Sequence, residues 1–288
     1  MPLLILVYKA EKENIINGIR AMREYFKGKN INIGISEKME SDTHFLKIFS
    51  DSELNERLKN IFNIYIADIL YSIMVDEFYK KDMDNFLSET YFFLNTGEIE
   101  WIKKESINCI KGNISIIDEN SVYCINKKND IIEKIIRCID ENNNINVEGF
   151  VTFRMKNILD DFESIVDKVV EKYMVEKEYD EFIKLLKYFV EIQESKIDYL
   201  DIVIQDSGNY IIRDENGADI TNKLFNELDE CRNNNAATSE DMLISTLITN
   251  APERISIHSI ENCRNEELID TIQKVFTDRV KLFNKCNV

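Results

Sequence analysis

The stretch that most restricts what this chain can fold into is Glu148 to Gln193, EGFVTFRMKNILDDFESIVDKVVEKYMVEKEYDEFIKLLKYFVEIQ. At 100° per residue from Phe150, the residues Val151, Met155, Ile158, Leu159, Phe162, Ile165, Val166, Val169, Val170 and Tyr173 share one stripe. That pattern predicts a core-facing helix. Phe150 and Phe153 fall off the stripe and Arg154 lies near its edge. A second packing surface is therefore expected there, burying Phe153 and covering Arg154, with Asp161 as the partner that a covered guanidinium needs. A second helix, Glu178 to Gln193, carries Tyr179, Phe182, Ile183, Leu186, Phe189 and Val190 on one face. Gln193 falls in that stripe and is expected to bond backbone at the helix exit. The charged turn Glu176-Lys177-Glu178 allows either a break or a continuous bent helix, and a break that gives a packed helical pair is the favoured expectation.

Around this centre the period of the apolar residues changes. Residues 3–8 read as a strand, 11–27 as an amphipathic helix, and 31–36 and 43–49 as two more strands. Helices follow at 51–80, 82–94 and 97–110, then a short hairpin over 113–126 turning at Asp118-Glu119-Asn120, and a helix at 129–142. The polar run Glu141-Asn142-Asn143-Asn144 reads as a linker. From Asp198 the period becomes two: strands at Tyr199–Ile204 and Asn209–Ile212 flank Asp206-Ser207-Gly208, and Asn216-Gly217 marks a second hairpin turn before Ala218-Asp219-Ile220. DENGAD lacks the remaining acidic positions and closing glutamate of a calcium loop, so it reads as a plain turn. Thr238-Ser239-Glu240-Asp241 opens a helix as a capping box. A strand at Arg254–His258, a helix at 265–277 and a strand at Arg279–Phe283 complete the chain. The reading is α+β and helix-rich: an N-terminal α/β and helical domain (1–142), a central helical pair (143–196) and a C-terminal α+β domain (197–288) with a small mixed sheet.

The segments EGFVTFRMKNILDDFESIVD, EYDEFIKLLKYFVEIQ and SEDMLISTLITNAPERISIH, in that order, resemble the YtxC-like sporulation protein family of endospore-forming bacteria. The resemblance covers most of the second half of the chain and, by layout and length, reaches into the first. It implies a link to sporulation. It brings no reaction, cofactor or catalytic residue with it, so no functional residue is carried over.

Charge and cysteine usage narrow the function classes. With a formal net charge of −17, the chain lacks the basic balance of a general nucleic-acid binder, and a nucleic-acid regulator is the disfavoured alternative. Cys109, Cys124, Cys138, Cys231, Cys263 and Cys286 form no CxxC pair and read as reduced thiols of a cytoplasmic protein. The N-terminal apolar run has no basic residues before it and reads as a strand, not a secretion signal. Ile61 to Met74 reads as a buried helix, so no membrane insertion is expected. No nucleophile stands beside a base, no glycine loop suits a phosphate, and no ligand pair has metal spacing.

His258 is the one residue that invites a catalytic reading, and with Cys263 and Cys286 it could be imagined around zinc. That spacing fits no finger or ribbon, and neither a metal nor a cofactor is expected. The favoured expectation is a monomer or homodimer that works through contacts with a protein partner. Its alternative is an enzyme or ligand binder with a site near Arg154 and His258. Phe150, Phe153, Arg154, Gln193 and His258 are the candidate contact residues.

Overall fold

The computed structural model describes residues 2–9, 13–113, 119–229 and 238–284. The chain divides into two compact units, Met1–Met174 and Val175–Val288.

The first unit sets a four-stranded sheet against helices. Strand β1 (Pro2–Lys9) pairs antiparallel with β3 (Thr43–Ser50) and parallel with β4 (Asn144–Asn146), and β2 (Ile33–Glu40) closes the far edge in the order β2-β3-β1-β4. The expected linker thus ends inside the sheet, with Ile145 buried beside β1. Helix α1 (Glu13–Lys27) buries Ile15, Ile19, Met22 and Phe26. Gly18 is needed where α1 meets α2 (Glu56–Lys81), since a β-carbon there would lie 2.2 Å from Ile69 Cγ1.

Helix α2 starts later than the periodicity suggests because the Asn55 side chain accepts from the Leu58 N–H and caps it. Among the described residues α2 is the one helix long and apolar enough to cross a membrane. Its residues Phe62, Ile66, Leu70, Met74 and Phe78 are nevertheless buried within this unit, the condition of a core helix. Helices α3 (Met83–Thr90), α4 (Thr96–Lys111) and α5 (Glu119–Asp140) complete the layer. Asn95 and Glu98 form a capping box at the start of α4, and Gly112 ends it in the left-handed region at φ 77°.

The hairpin expected at 113–126 is not what forms. Residues 119–126 belong to α5, whose Ser121, Cys124, Ile131, Ile135 and Ile139 are buried at spacings of three, seven, four and four residues. The local alternation is too short to outweigh that helical stripe, and Glu119 suits the positive end of the helix. Residues 114–118 lie outside the described residues.

A single helix, α6 (Val147–Ile192, 46 residues), replaces the expected pair. Glu176, Lys177 and Glu178 are good helix formers with no glycine, proline or capping residue among them, so nothing in their backbone chemistry stops the helix. Up to Met174 it follows the predicted stripe. Val151, Ile158, Phe162, Ile165, Val166, Val169 and Val170 are buried in the first unit, with Met155, Leu159 and Tyr173 partly so.

The second unit is a second four-stranded sheet, ordered β6-β5-β7-β8. Strand β5 (Tyr199–Ile204) pairs antiparallel with β6 (Tyr210–Arg213) and parallel with β7 (Arg254–His258), which pairs parallel with β8 (Val280–Phe283). Leu200, Ile202, Ile255 and Ile257 point to the core, where residues of α6, α7 (Thr221–Asp229), α8 (Ser239–Asn250) and α9 (Glu266–Phe276) join them. The turn between β6 and α7 is plain: Asp214 Oδ1 accepts from the N–H groups of Asn216 and Ala218, with Gly217 at φ 79°. The capping box of α8 forms as its sequence suggests, Thr238 and Asp241 exchanging bonds.

Candidate functional site

Within the second unit, α6 presents two different apolar faces. Ile183, Leu186 and Val190 are buried against the sheet, and Tyr179 anchors the same side through a 2.9 Å hydroxyl contact with Thr271 of α9. Next to that face, Val175, Phe182, Leu185, Phe189 and Ile192 lie in solvent, 42 to 62% exposed. They recur in steps of three, four and seven, so they fall on one stripe of the helix. Tyr188 flanks them, its ring 6.3 Å from Phe189. Lys184, Lys187 and Glu191 occupy the remaining, polar sector. Phe182 and Phe189 thus leave the buried face on which their spacing places them. The sheet covers only the narrow sector around Ile183 and Leu186, and the adjoining sector stays exposed.

The candidate contact residues do not gather at one point. Phe150 is half-buried against the first unit's core, whereas Phe153 is 78% exposed and Arg154 is exposed. The covered Arg154–Asp161 pair is not formed. Asp161 is held instead by two lysines of α5, Lys127 at 2.9 Å and Lys134 at 2.6 Å. Burial alone would raise the Asp161 pKa, but the hydrogen bonds and charges of Lys134 and Lys127 outweigh it and hold it below the ordinary carboxylate value. The reason lies in α5: once residues 119–140 are helical, Lys127 and Lys134 stand one above the other, seven residues apart, facing α6. Gln193 is half-buried just past the end of α6.

His258 ends β7 on the face of the second sheet opposite its core. Its Nε2 lies 2.9 Å from Asp201 Oδ1 on β5, within ion-pair reach but out of line for a hydrogen bond. Its ring stacks on Phe283 of β8, centroids 4.7 Å apart at 9°, and its Nδ1 is buried without a partner. The same face carries Arg213 opposite Asp201, and Ser256 between Asp201 and Lys281. Asp201 escapes a reading based on sequence proximity, because it lies on a neighbouring strand. The alternation of Tyr199–Ile204 was the available signal, since it sets Asp201 apart from Leu200 and Ile202. Cys263 does not join His258: its Sγ donates to the Asn265 carbonyl at 3.1 Å. Cys286 lies outside the described residues, and among those described no group of three histidine, cysteine or acidic residues is placed to hold a metal.

Comparison with known proteins bears on family. The model of the YtxC-like family matches residues 64–281. The chain belongs to the YtxC-like family. Among curated proteins, "Uncharacterized protein YtxC" of Bacillus subtilis (strain 168) is 21% identical over 223 residues, 76% of this chain and 76% of the relative. No solved structure matches. The YtxC-like match runs from within α2 to within β8, so it takes in α6 with its exposed stripe and the Asp201–His258 pair, and leaves out β1, α1, β2 and β3.

Proposed function

We propose that this YtxC-like chain is a non-catalytic factor of endospore development that acts in the cytoplasm by holding a protein partner on the second half of α6. The observation that carries the reading is the stripe Val175, Phe182, Leu185, Phe189 and Ile192, exposed on a helix whose adjacent face is already buried in its own unit. With aromatic side chains contributing about 150–250 Å² each when fully covered, the stripe and Tyr188 offer on the order of 500 Å² of apolar surface. That lies within the roughly 300–600 Å² of a typical monomer's largest apolar patch, which is often a functional one, and suits the core of a modest interface. The sporulation link is the one implied by the family resemblance.

The test is complementation of a strain lacking the gene with Leu185→Glu/Phe189→Glu. The proposal expects normal abundance, an unchanged melting temperature and a loss of heat-resistant spores. Normal spore counts from this variant would overturn it. A second reading, ligand binding or acid–base chemistry on the face of the second sheet opposite its core, is favoured by the Asp201–His258 pair. Unimpaired sporulation of a folded His258→Gln variant would remove that reading.

A further inference from the structure

The first unit holds a groove of about 550 Å³ between α1 and the β2 edge of its sheet. Its floor is apolar, with Ile16 and Ile35 reaching solvent, and its α1 wall carries Arg20, Arg23 and Lys27. Among the described residues none of these three cations is paired with a carboxylate, although the chain as a whole is strongly acidic. Of the two groove carboxylates, Glu24 and Glu37, the second is already engaged. Its Oε1 accepts from the Tyr8 hydroxyl at 3.1 Å and lies 2.7 Å from His44 Nδ1.

The backbone beside the groove is open as well. The Asn32 carbonyl accepts from the Asp51 N–H on the β3 side at 3.2 Å. Antiparallel alternation therefore turns the N–H and C=O groups of Ile33, Ile35, Glu37 and Met39 away from β3. Arg23 Nε donates to the Ile33 carbonyl at 3.1 Å, which fixes that direction and sets a guanidinium at the free edge. An eight-residue edge whose outward backbone groups, the Ile33 carbonyl apart, have no partner among the described residues is a template for a further strand. Here a groove with an apolar floor and a cationic wall lies directly beside it.

We propose that β2 is a docking edge for an extended segment of a partner protein, added as a fifth strand. Its groove-facing side chains alternate between apolar and acidic. Backbone bonds to Ile35, Glu37 and Met39 supply the pairing, and apolar and carboxylate side chains reach Ile16 and Ile35 and the Arg20–Lys27 wall. The groove lies outside the residues matched by the family model, so the inference does not depend on the reading of α6.

The test uses the full chain and a short fluorescent peptide in which glutamate and isoleucine alternate along one face and threonine fills the other. Saturable binding is expected. Methylating the peptide nitrogens that would face β2 should abolish it, and methylating the alternate set should leave it unchanged. Arg20→Glu/Lys27→Glu, on an exposed helix face, should weaken binding by at least about tenfold, the equivalent of one good charged contact. Absence of binding, equal loss from both methylation patterns, or indifference to the charge reversal would each overturn the proposal.

Discussion

The two halves of α6 share one backbone and differ in what covers them. Up to Met174 the helix buries one continuous apolar stripe and, the single Phe153 apart, turns polar residues outward, with Asp161 gripped by two lysines. From Val175 onward it buries Ile183, Leu186 and Val190 and leaves a second stripe, Phe182, Leu185 and Phe189 among it, in solvent. The first half is what folding alone requires. The second carries more apolar surface than its fold uses, and that surplus is the argument for a partner.

The contrast can be broken most sharply by aromatic truncation. Phe162 is fully buried with ring centroids 5.9 Å from Tyr71 and 5.2 Å from Phe78, so Phe162→Ala should cost about 3–5 kcal/mol in urea melts. Phe182→Ala should stay within about 0.5 kcal/mol. Similar costs for the two would erase the distinction between the halves.

A smaller effect is expected at Asp161. Its lysine partners are partly exposed, so Asp161→Asn should cost about 1–2 kcal/mol near neutrality, less than a fully buried pair. The folded pKa is depressed. The contribution is therefore complete above the unfolded value of about 3.9 and disappears as pH falls through the lower native value. Stability curves of the two proteins should converge on acidification. A difference that persists well below that range would assign the cost to packing and not to charge.

The smallest effects belong to residues that the sequence favours as anchors. Phe153→Ala and Arg154→Met should each change stability by less than about 0.5 kcal/mol, because both side chains are exposed. A loss of several kcal/mol from either would restore the second packing surface that the pattern suggests.

These outcomes also show what the sequence could reveal. The buried stripe of Val151 to Tyr173 was legible because one helix face meets one core, and strands β5 and β6 of the second unit were legible from their alternation. The continuity of α6 was not, because a charged triplet of good helix formers reads equally as a turn or as helix. The helical form of residues 119–126 was hidden for a related reason: Ser121 and Cys124 are weak apolar markers, and their place in the stripe emerges only with Ile131 and Ile135. Of the candidate sites, the exposed stripe was concealed by its own quality. Phe182 and Phe189 look like core, and periodicity does not say which of two adjacent apolar sectors finds a cover. The Asp201–His258 pair depends on strand order, which no spacing along the chain encodes.

Photocrosslinking in sporulating cells tests the central claim most directly. A photoreactive residue is placed at Phe182 or Leu185 on the exposed stripe, or at Lys184 or Lys187 on the polar sector beside it. The account predicts a discrete crosslinked species of one mass from both stripe positions and little or none from the lysine positions. Equal crosslinking from all four, or none from the stripe in cells that are forming spores, would contradict it.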